Sequence, residues 1–243
     1  MIQQKALIVN DGSKIYYEII GKGFPLVMLH GNNDSGRIFS HQVAFLKDYY
    51  TCIVVDSRGH GKSTNASKTL EFKQMSDDLC KILDKENITK AHLLGFSDGG
   101  NIAACFVVDH SKYVEKLILN AANLKVSGLY LHFRILSKLE IWKAKLLKHN
   151  IAIKKLMLKE TKITVEDLQK IKQPTLILVG QFDVVRNAHS KNLAKQIPNA
   201  MLKTVPYAKH LFLKKSPVNY NKIVLAFLQE KTSILGEKNE NNS

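Results

Sequence analysis

The chain is poor in cysteine, with three in 243 residues: Cys52, Cys80 and Cys105. Each lies among apolar residues, and their odd number and spacing fit neither a disulfide framework nor a zinc site, so we expect reduced cysteines and no bound metal. Long hydrophobic runs are also lacking, since the run 26–29 is far below the roughly 18 residues that span a bilayer. The N-terminus lacks the apolar stretch of a signal peptide. We therefore expect a soluble, cytoplasmic protein without a membrane span.

Arginine and acidic side chains are scarce beside lysine. The 36 basic residues comprise 32 Lys and 4 Arg, against 21 Asp and Glu, which gives a net charge of +15. Arginine is the usual residue for bidentate recognition of bases and phosphates, so the lysine surplus favours compositional drift, and we expect no nucleic-acid partner. Hydrophobic residues at 45% and charged residues at 23% are typical of a globular protein, and the length fits a single α/β domain.

Strand-like and helix-like segments alternate along most of the chain, which predicts an α/β fold with a mostly parallel, eight-stranded sheet flanked by helices. The predicted strands are 5–9, 14–20, 26–29, 52–55, 91–94, 117–120, 174–180 and 201–205. The predicted helices are 70–87, 98–110 and 218–230. A turn signal at 10–13 joins the first two strands as a hairpin.

The segment 125–172 breaks this alternation, because it has helical stripes and no strand signal. At 48 residues it is too long for a simple loop. We expect it to form a small helical cap inserted into a core of residues 1–124 and 173–235, with a disordered polar tail at 236–243. The cap segment has 12 basic and 4 acidic residues, so it carries +8 of the total charge.

The strongest chemical signal is the segment Gly95–Gly100, which contains the pattern G-x-S-x-G between a predicted strand and an apolar helix. A sharp strand-to-helix turn needs small residues two positions before and two after Ser97, and Gly95 and Gly99 meet that need. The helix N-terminus then directs free N–H groups at whatever the serine attacks. The pattern and its context predict that Ser97 is a nucleophile.

A nucleophilic serine needs a base and an orienting acid, which follow it in the chain in the order acid, then histidine. Asp183 comes just beyond the strand 174–180, and His210 follows the strand 201–205. Both are expected at the carboxyl ends of neighbouring parallel strands, where open α/β sheets keep their sites. We predict a Ser97–Asp183–His210 triad.

The loop after the strand 26–29 begins His30-Gly31-Asn32. In this arrangement it supplies one backbone N–H of an oxyanion hole, and the residue after the nucleophile supplies the other. We therefore predict that the N–H groups of Asn32 and Asp98 form the hole. We expect the His30 ring to hold the loop in shape, and we expect the Asp98 side chain to do no more than favour the helix dipole.

Taken together, these motifs resemble the α/β-hydrolase superfamily over nearly the whole chain. The matching segments are 30–32, 56–63, 95–100, 172–180 leading to Asp183, and His210. The Ser-Asp-Gly-Gly ending of the turn is similar to that of valacyclovir-hydrolase-like and other small-capped serine hydrolases. The resemblance implies the same triad, no cofactor, and a helical cap between the sixth and seventh strands.

These features predict a serine esterase that acts on a small-molecule acyl substrate, with Phe96, Phe133 and Trp142 walling an apolar pocket. Thioester, lactone, amide or carbon–carbon bond hydrolysis stays open, as does a ligand-sensing regulatory protein on the same scaffold, because fold and triad do not fix a substrate. Nothing in the sequence indicates an oligomeric state.

Overall fold

A computed structural model describes residues 2–147 and 151–230 of the chain, and the expected tail at 236–243 lies outside these residues. Eight strands form a single sheet. They are β1 (Ile2–Ile8), β2 (Lys14–Gly21), β3 (Phe24–Leu29), β4 (Tyr50–Val55), β5 (Ala91–Phe96), β6 (Val114–Asn120), β7 (Thr175–Phe182) and β8 (Ala200–Lys209).

The strand order in the sheet is β1-β2-β4-β3-β5-β6-β7-β8. β1 and β2 form an antiparallel hairpin, and β2 is antiparallel to β4, whereas all pairings from β4 to β8 are parallel. The mostly parallel, eight-stranded sheet expected from the sequence is confirmed. The carboxyl ends of β3, β5, β7 and β8 consequently meet at one edge.

Nine α-helices occur in the described part of the chain. They are α1 (Ser40–Leu46), α2 (Phe72–Lys85), α3 (Asp98–Asp109), α4 (Leu131–Leu146), α5 (Ala152–Leu156), α6 (Val165–Gln169), α7 (Asn187–Gln196), α8 (Phe212–Lys215) and α9 (Pro217–Gln229). The sequence prediction omitted α1, α7 and α8, because each is short and buries only two residues, which gives little periodic signal. In α1, for example, the buried residues are Gln42 and Leu46. Within residues 2–147 and 151–230, no helix is long and apolar enough to cross a bilayer.

The core has one hydrophobic layer on each face of the sheet. One layer includes Leu79 of α2 and Phe106 of α3, both at most 1% exposed. The other includes Phe39, which directly precedes α1, and Tyr220 of α9, both fully buried. Burying a large apolar side chain stabilises by about 1.5–3 kcal/mol, so the two layers together hold the sheet rigidly under its functional edge.

The segment 125–172, expected to be a cap, contains α4, α5 and α6 and lies between β6 and β7. The N-terminal part of this segment is hydrogen-bonded to the loop after β7. The N–H of Tyr130 donates to the carbonyl of Val184 at 3.2 Å, and the N–H of Arg186 donates to the carbonyl of Gly128 at 2.8 Å. These bonds place the first turn of α4 beside the functional edge of the sheet.

Candidate active site

Ser97 lies at the turn between β5 and α3 in a backbone conformation that L-residues rarely adopt, with φ of 54° and ψ of −120°. The turn closes only because its neighbours are glycine. A Cβ on Gly99 would lie 2.0 Å from the carbonyl oxygen of Leu29, and one on Gly95 would lie 2.3 Å from that of Gly99. The surrounding packing therefore maintains a strained residue at the carboxyl end of β5, which is typical of functional sites.

Asp183 and His210 follow β7 and β8 directly, and their side chains meet, with His210 Nδ1 2.7 Å from Asp183 Oδ1. The Asp183 side chain is 1% exposed and also accepts hydrogen bonds from the N–H groups of Val185 and Gly180. A carboxylate on Nδ1 favours the tautomer whose proton is on that nitrogen, which leaves Nε2 free to act as a base. The ring of Phe96 packs on His210 with ring centroids 4.9 Å apart, which further fixes the imidazole.

Ser97 and His210 line a common cavity of about 250 Å³. Between these two residues, both in the described part of the chain, no direct hydrogen bond is formed. Such contacts commonly tighten only in the substrate complex. The arrangement thus places a strained hydroxyl and an oriented imidazole on the wall of one small cavity.

The loop after β3 is locked by His30, which is 1% exposed. Its Nε2 accepts a hydrogen bond from the N–H of Ser57 at 2.9 Å, so Nδ1 carries the proton and donates to the carbonyl of Gly31 at 2.7 Å. Burial lowers the pKa of His30 to about 4, which keeps the ring neutral near pH 7. The expected structural role of His30 is confirmed.

The side chains of Asn32 and Asp98 tie this loop to the first turn of α3. Asn32 Nδ2 donates to Asp98 Oδ2 at 2.9 Å and to the carbonyl of Ile153 in α5 at 2.7 Å. Asp98 is 4% exposed, and burial raises its pKa to about 6. The sequence interpretation gave this carboxyl only a helix-dipole role. That interpretation is incomplete, because the side chain is removed from water by tertiary packing that no local pattern reveals.

The cavity has apolar walls from both the core and the segment 125–172. Phe96 and Phe133 line it, as expected from the sequence. Sequence reasoning missed other apolar lining residues, namely Leu129, Met157, Val184 and Leu211. Val184 and Leu211 directly follow Asp183 and His210 in the chain, and that proximity was the available signal, since a residue beside a site residue at the end of a strand lies near the site.

The structure does not place Trp142 at the cavity, and its indole is 60% exposed. The reason is helical geometry: Phe133 and Trp142 are nine residues apart on α4, and at 100° per residue they point to opposite sides of the helix. The expectation that both wall the pocket is wrong for Trp142.

In the described residues, 2–147 and 151–230, no group of three or more His, Cys, Asp or Glu side chains is arranged to hold a metal ion. The three cysteines in these ranges are free thiols, and burial raises the pKa of Cys52 and Cys105 to about 12.

Comparisons with known proteins agree with this fold. The family model described as alpha/beta hydrolase fold matches residues 25–133. Serine hydrolase BPHL of Mus musculus is 26% identical over 253 residues, covering 92% of this chain and 86% of that protein. An esterase from Exiguobacterium antarcticum aligns with a TM-score of 0.80 at 23% identity, covering 94% of this chain and 100% of that one. The enol-lactonase from Burkholderia xenovorans LB400 aligns with a TM-score of 0.76 at 20% identity, covering 93% and 100%.

The sheet order, the strained serine between β5 and α3, and the match of the family model over residues 25–133 lead to one conclusion: the chain has the alpha/beta hydrolase fold.

Proposed function

We propose that the protein is a serine hydrolase that cleaves a small-molecule carboxylic ester through an acyl-enzyme intermediate, without a cofactor. The observation that carries this proposal is the 2.7 Å contact between His210 and Asp183 beside the cavity that Ser97 also lines. An imidazole oriented by a buried carboxylate next to a strained serine is the arrangement that activates a hydroxyl for acyl transfer.

In the acylation half-reaction, Ser97 Oγ attacks the ester carbonyl and its proton passes to His210 Nε2. The carbonyl oxygen becomes an oxyanion, which the backbone N–H groups of Asn32 and Asp98 stabilise. Collapse of this intermediate breaks the bond to the alcohol, and His210 returns the proton to the leaving oxygen. Asp183 holds the tautomer throughout and favours the imidazolium form.

In the deacylation half-reaction, water takes the place of the alcohol. His210 accepts a proton from the water as its oxygen attacks the acyl carbon, and the same N–H groups again hold the oxyanion. The bond to Ser97 Oγ then breaks, the serine regains its proton from His210, and the carboxylic acid leaves.

The size of the cavity favours a substrate with a short acyl group. Its volume of about 250 Å³ lies just below the roughly 300–1,000 Å³ of sites that bind drug-sized ligands. Phe96 and Phe133 give it aromatic walls. We propose a preference for short to medium acyl chains over long ones.

A series of p-nitrophenyl esters from acetyl to palmitoyl tests this proposal. kcat/KM should be largest at the short end, and Phe133→Ala should move the maximum to longer chains because it enlarges the cavity. Trp142→Ala, on the opposite side of the same helix, is the matched control and should leave the profile unchanged. A maximum at palmitoyl in the wild type would contradict the short-chain preference.

A fluorophosphonate probe tests the nucleophile separately. It should label the wild type and leave Ser97→Ala unlabelled, and equal labelling of both would contradict the assignment. Thioester, lactone, amide and carbon–carbon substrates share the same triad chemistry, so each belongs in the same kinetic screen.

A further inference from the structure

The outer side of α4 carries an apolar stripe that no other segment covers among residues 2–147 and 151–230. Its members recur every three or four residues and are between 49% and 63% exposed: Leu131, Ile135, Leu139, Trp142 and Leu146. At 100° per residue these five side chains fall within about 80° of the helix circumference. The opposite side packs on the rest of the protein through the small residues Ser137 and Ala144, so the large apolar side chains of the stripe face solvent.

Lysines border this stripe. Lys138 and Lys145 lie along one edge by the same helical geometry, and Lys143 lies along the other. The acidic residue of the helix, Glu140, is on the far side and is shared between Lys143 at 4.0 Å and Lys154 at 3.3 Å. The whole segment 125–172 has 12 basic and 4 acidic residues. The exposed side of α4 is therefore both apolar and positively charged.

This combination favours an anionic lipid surface over a second copy of the chain. Two copies packed through the stripe would bring lysine edges together, and Glu140 already has two lysine partners. A bilayer with anionic headgroups accepts the apolar side chains at the acyl boundary and pairs with the lysines. An exposed tryptophan in the stripe also suits the interface, where its ring is favoured.

We propose that the exposed face of α4, formed by Leu131, Ile135, Leu139, Trp142 and Leu146 with flanking lysines, docks on the surface of an anionic bilayer. The helix lies in the headgroup plane and does not cross the membrane. Phe133, which lines the active-site cavity, is on the opposite side of the same helix, so docking places α4 between the lipid surface and the cavity. The proposal is independent of the ester chemistry.

The single tryptophan gives a direct readout, because Trp142 is the one tryptophan in the chain and is 60% exposed. The full-length protein is mixed with vesicles of equimolar phosphatidylglycerol and phosphatidylcholine, or of phosphatidylcholine alone. We expect co-sedimentation and a blue shift of Trp142 emission with the anionic vesicles only. Added salt should weaken the binding, because it screens charges over about 8–10 Å.

Two pairs of matched variants locate the surface. Ile135→Gln with Leu139→Gln should weaken vesicle binding at least tenfold, because two apolar side chains then no longer enter the bilayer. Ile8→Gln with Val218→Gln removes two apolar side chains that are 63% and 68% exposed and lie outside α4, and it should not weaken binding. Lys138→Glu with Lys145→Glu should weaken vesicle binding by at least about 25-fold, because each lysine near the surface contributes about fivefold. Lys191→Glu with Lys195→Glu on α7 makes the same change in net charge and is the control. Its effect on binding should be smaller. Circular dichroism and hydrolysis of a soluble ester check that each variant is folded.

Three results would overturn the proposal. The first is that the protein stays in the supernatant with both kinds of vesicle. The second is that the α4 variants bind vesicles no worse than their controls, which would place docking elsewhere. The third is a dimer, seen by light scattering, that Ile135→Gln with Leu139→Gln dissociates, which would make a second copy the occupant of the stripe.

Discussion

The loop after β4, residues 56–63, and the turn after β5 leave the same edge of the sheet with only β3 between them. In the first loop, the side chain of Arg58 is 2% exposed and makes two 2.8 Å bonds to Asp78, with further bonds to Asp11 and Ser13. In the turn after β5, Asp98 is equally buried. Among the described residues it is held by the amide groups of Asn32 and Asn101, and it forms no ion pair.

The two loops differ in whether a buried charge has an oppositely charged partner and in whether the backbone is strained. In the loop after β4, opposite charges meet and the polar groups of Arg58 are satisfied, which is how a structural connection is made stable. In the turn after β5, a residue at positive φ and a carboxyl with a raised pKa persist side by side. The loop 56–63 has no non-glycine residue at positive φ, so the strained Ser97 is what marks the turn after β5 as the place where chemistry is expected.

The largest effect should come from replacing a serine by alanine in each of the two loops. Ser97→Ala removes the nucleophile, and we expect kcat for a p-nitrophenyl ester to fall by about 10⁴–10⁶, as in serine proteases. Ser57→Ala is the matched control, since Ser57 is buried in the other loop and its hydroxyl has no hydrogen-bond partner in the part of the chain that the structure describes. Its kcat should change less than about twofold. A large fall in the Ser57 variant would remove the functional distinction between the loops.

The next largest effect should be the loss of stability when the ion pair between Arg58 and Asp78 is broken. Arg58→Met leaves Asp78 buried without its cation, and we expect the free energy of unfolding to fall by about 3–5 kcal/mol. Arg37→Met, at an exposed arginine, should change it by no more than about 0.5 kcal/mol. Urea denaturation followed by circular dichroism measures both. A loss below about 1 kcal/mol for Arg58→Met would show that the network adds little to stability.

Removing the charge of Asp98 should increase the stability of the fold, in contrast to Arg58→Met, and the size of the increase should depend on pH. Burial raises its pKa from 3.8 to about 6, so folding favours the protonated form. The stability from that form is fully present below about pH 3.8 and is lost as pH rises through 6. By the linkage relation, the charged carboxyl destabilises the fold by at most about 3 kcal/mol at neutral pH.

Asp98→Asn should therefore raise the melting temperature at pH 7.5 and have little effect at pH 4, because the wild-type carboxyl is neutral at the lower pH. Differential scanning calorimetry across this range measures the trend. Asp34→Asn in the loop after β3 serves as the control with a partly exposed carboxyl. An equal gain at both pH values would show that the Asp98 carboxyl is not charged at neutral pH in the fold.

Much of the fold could be predicted because its strands are short apolar runs closed by glycine, proline and polar turns. The eight strands and their mostly parallel arrangement follow from that alternation. The helix α1 did not, because seven residues with two buried positions produce no periodic pattern. The end of β8 was placed several residues early, since exposed residues such as Tyr207 continue the strand without an apolar signal.

The sequence by itself determined the features that depend on local sterics and chain order. Glycines around Ser97 permit the sharp turn, and Asp183 and His210 follow strands whose carboxyl ends parallel pairing brings to one edge. Only the tertiary structure decided which side of α4 faces the cavity, and so that Phe133 lines it while Trp142 is exposed. It also decided the burial of Asp98. Both outcomes depend on contacts between segments far apart in the chain, and burial, which sets pKa values and pocket walls, is a property of those contacts rather than of any local pattern.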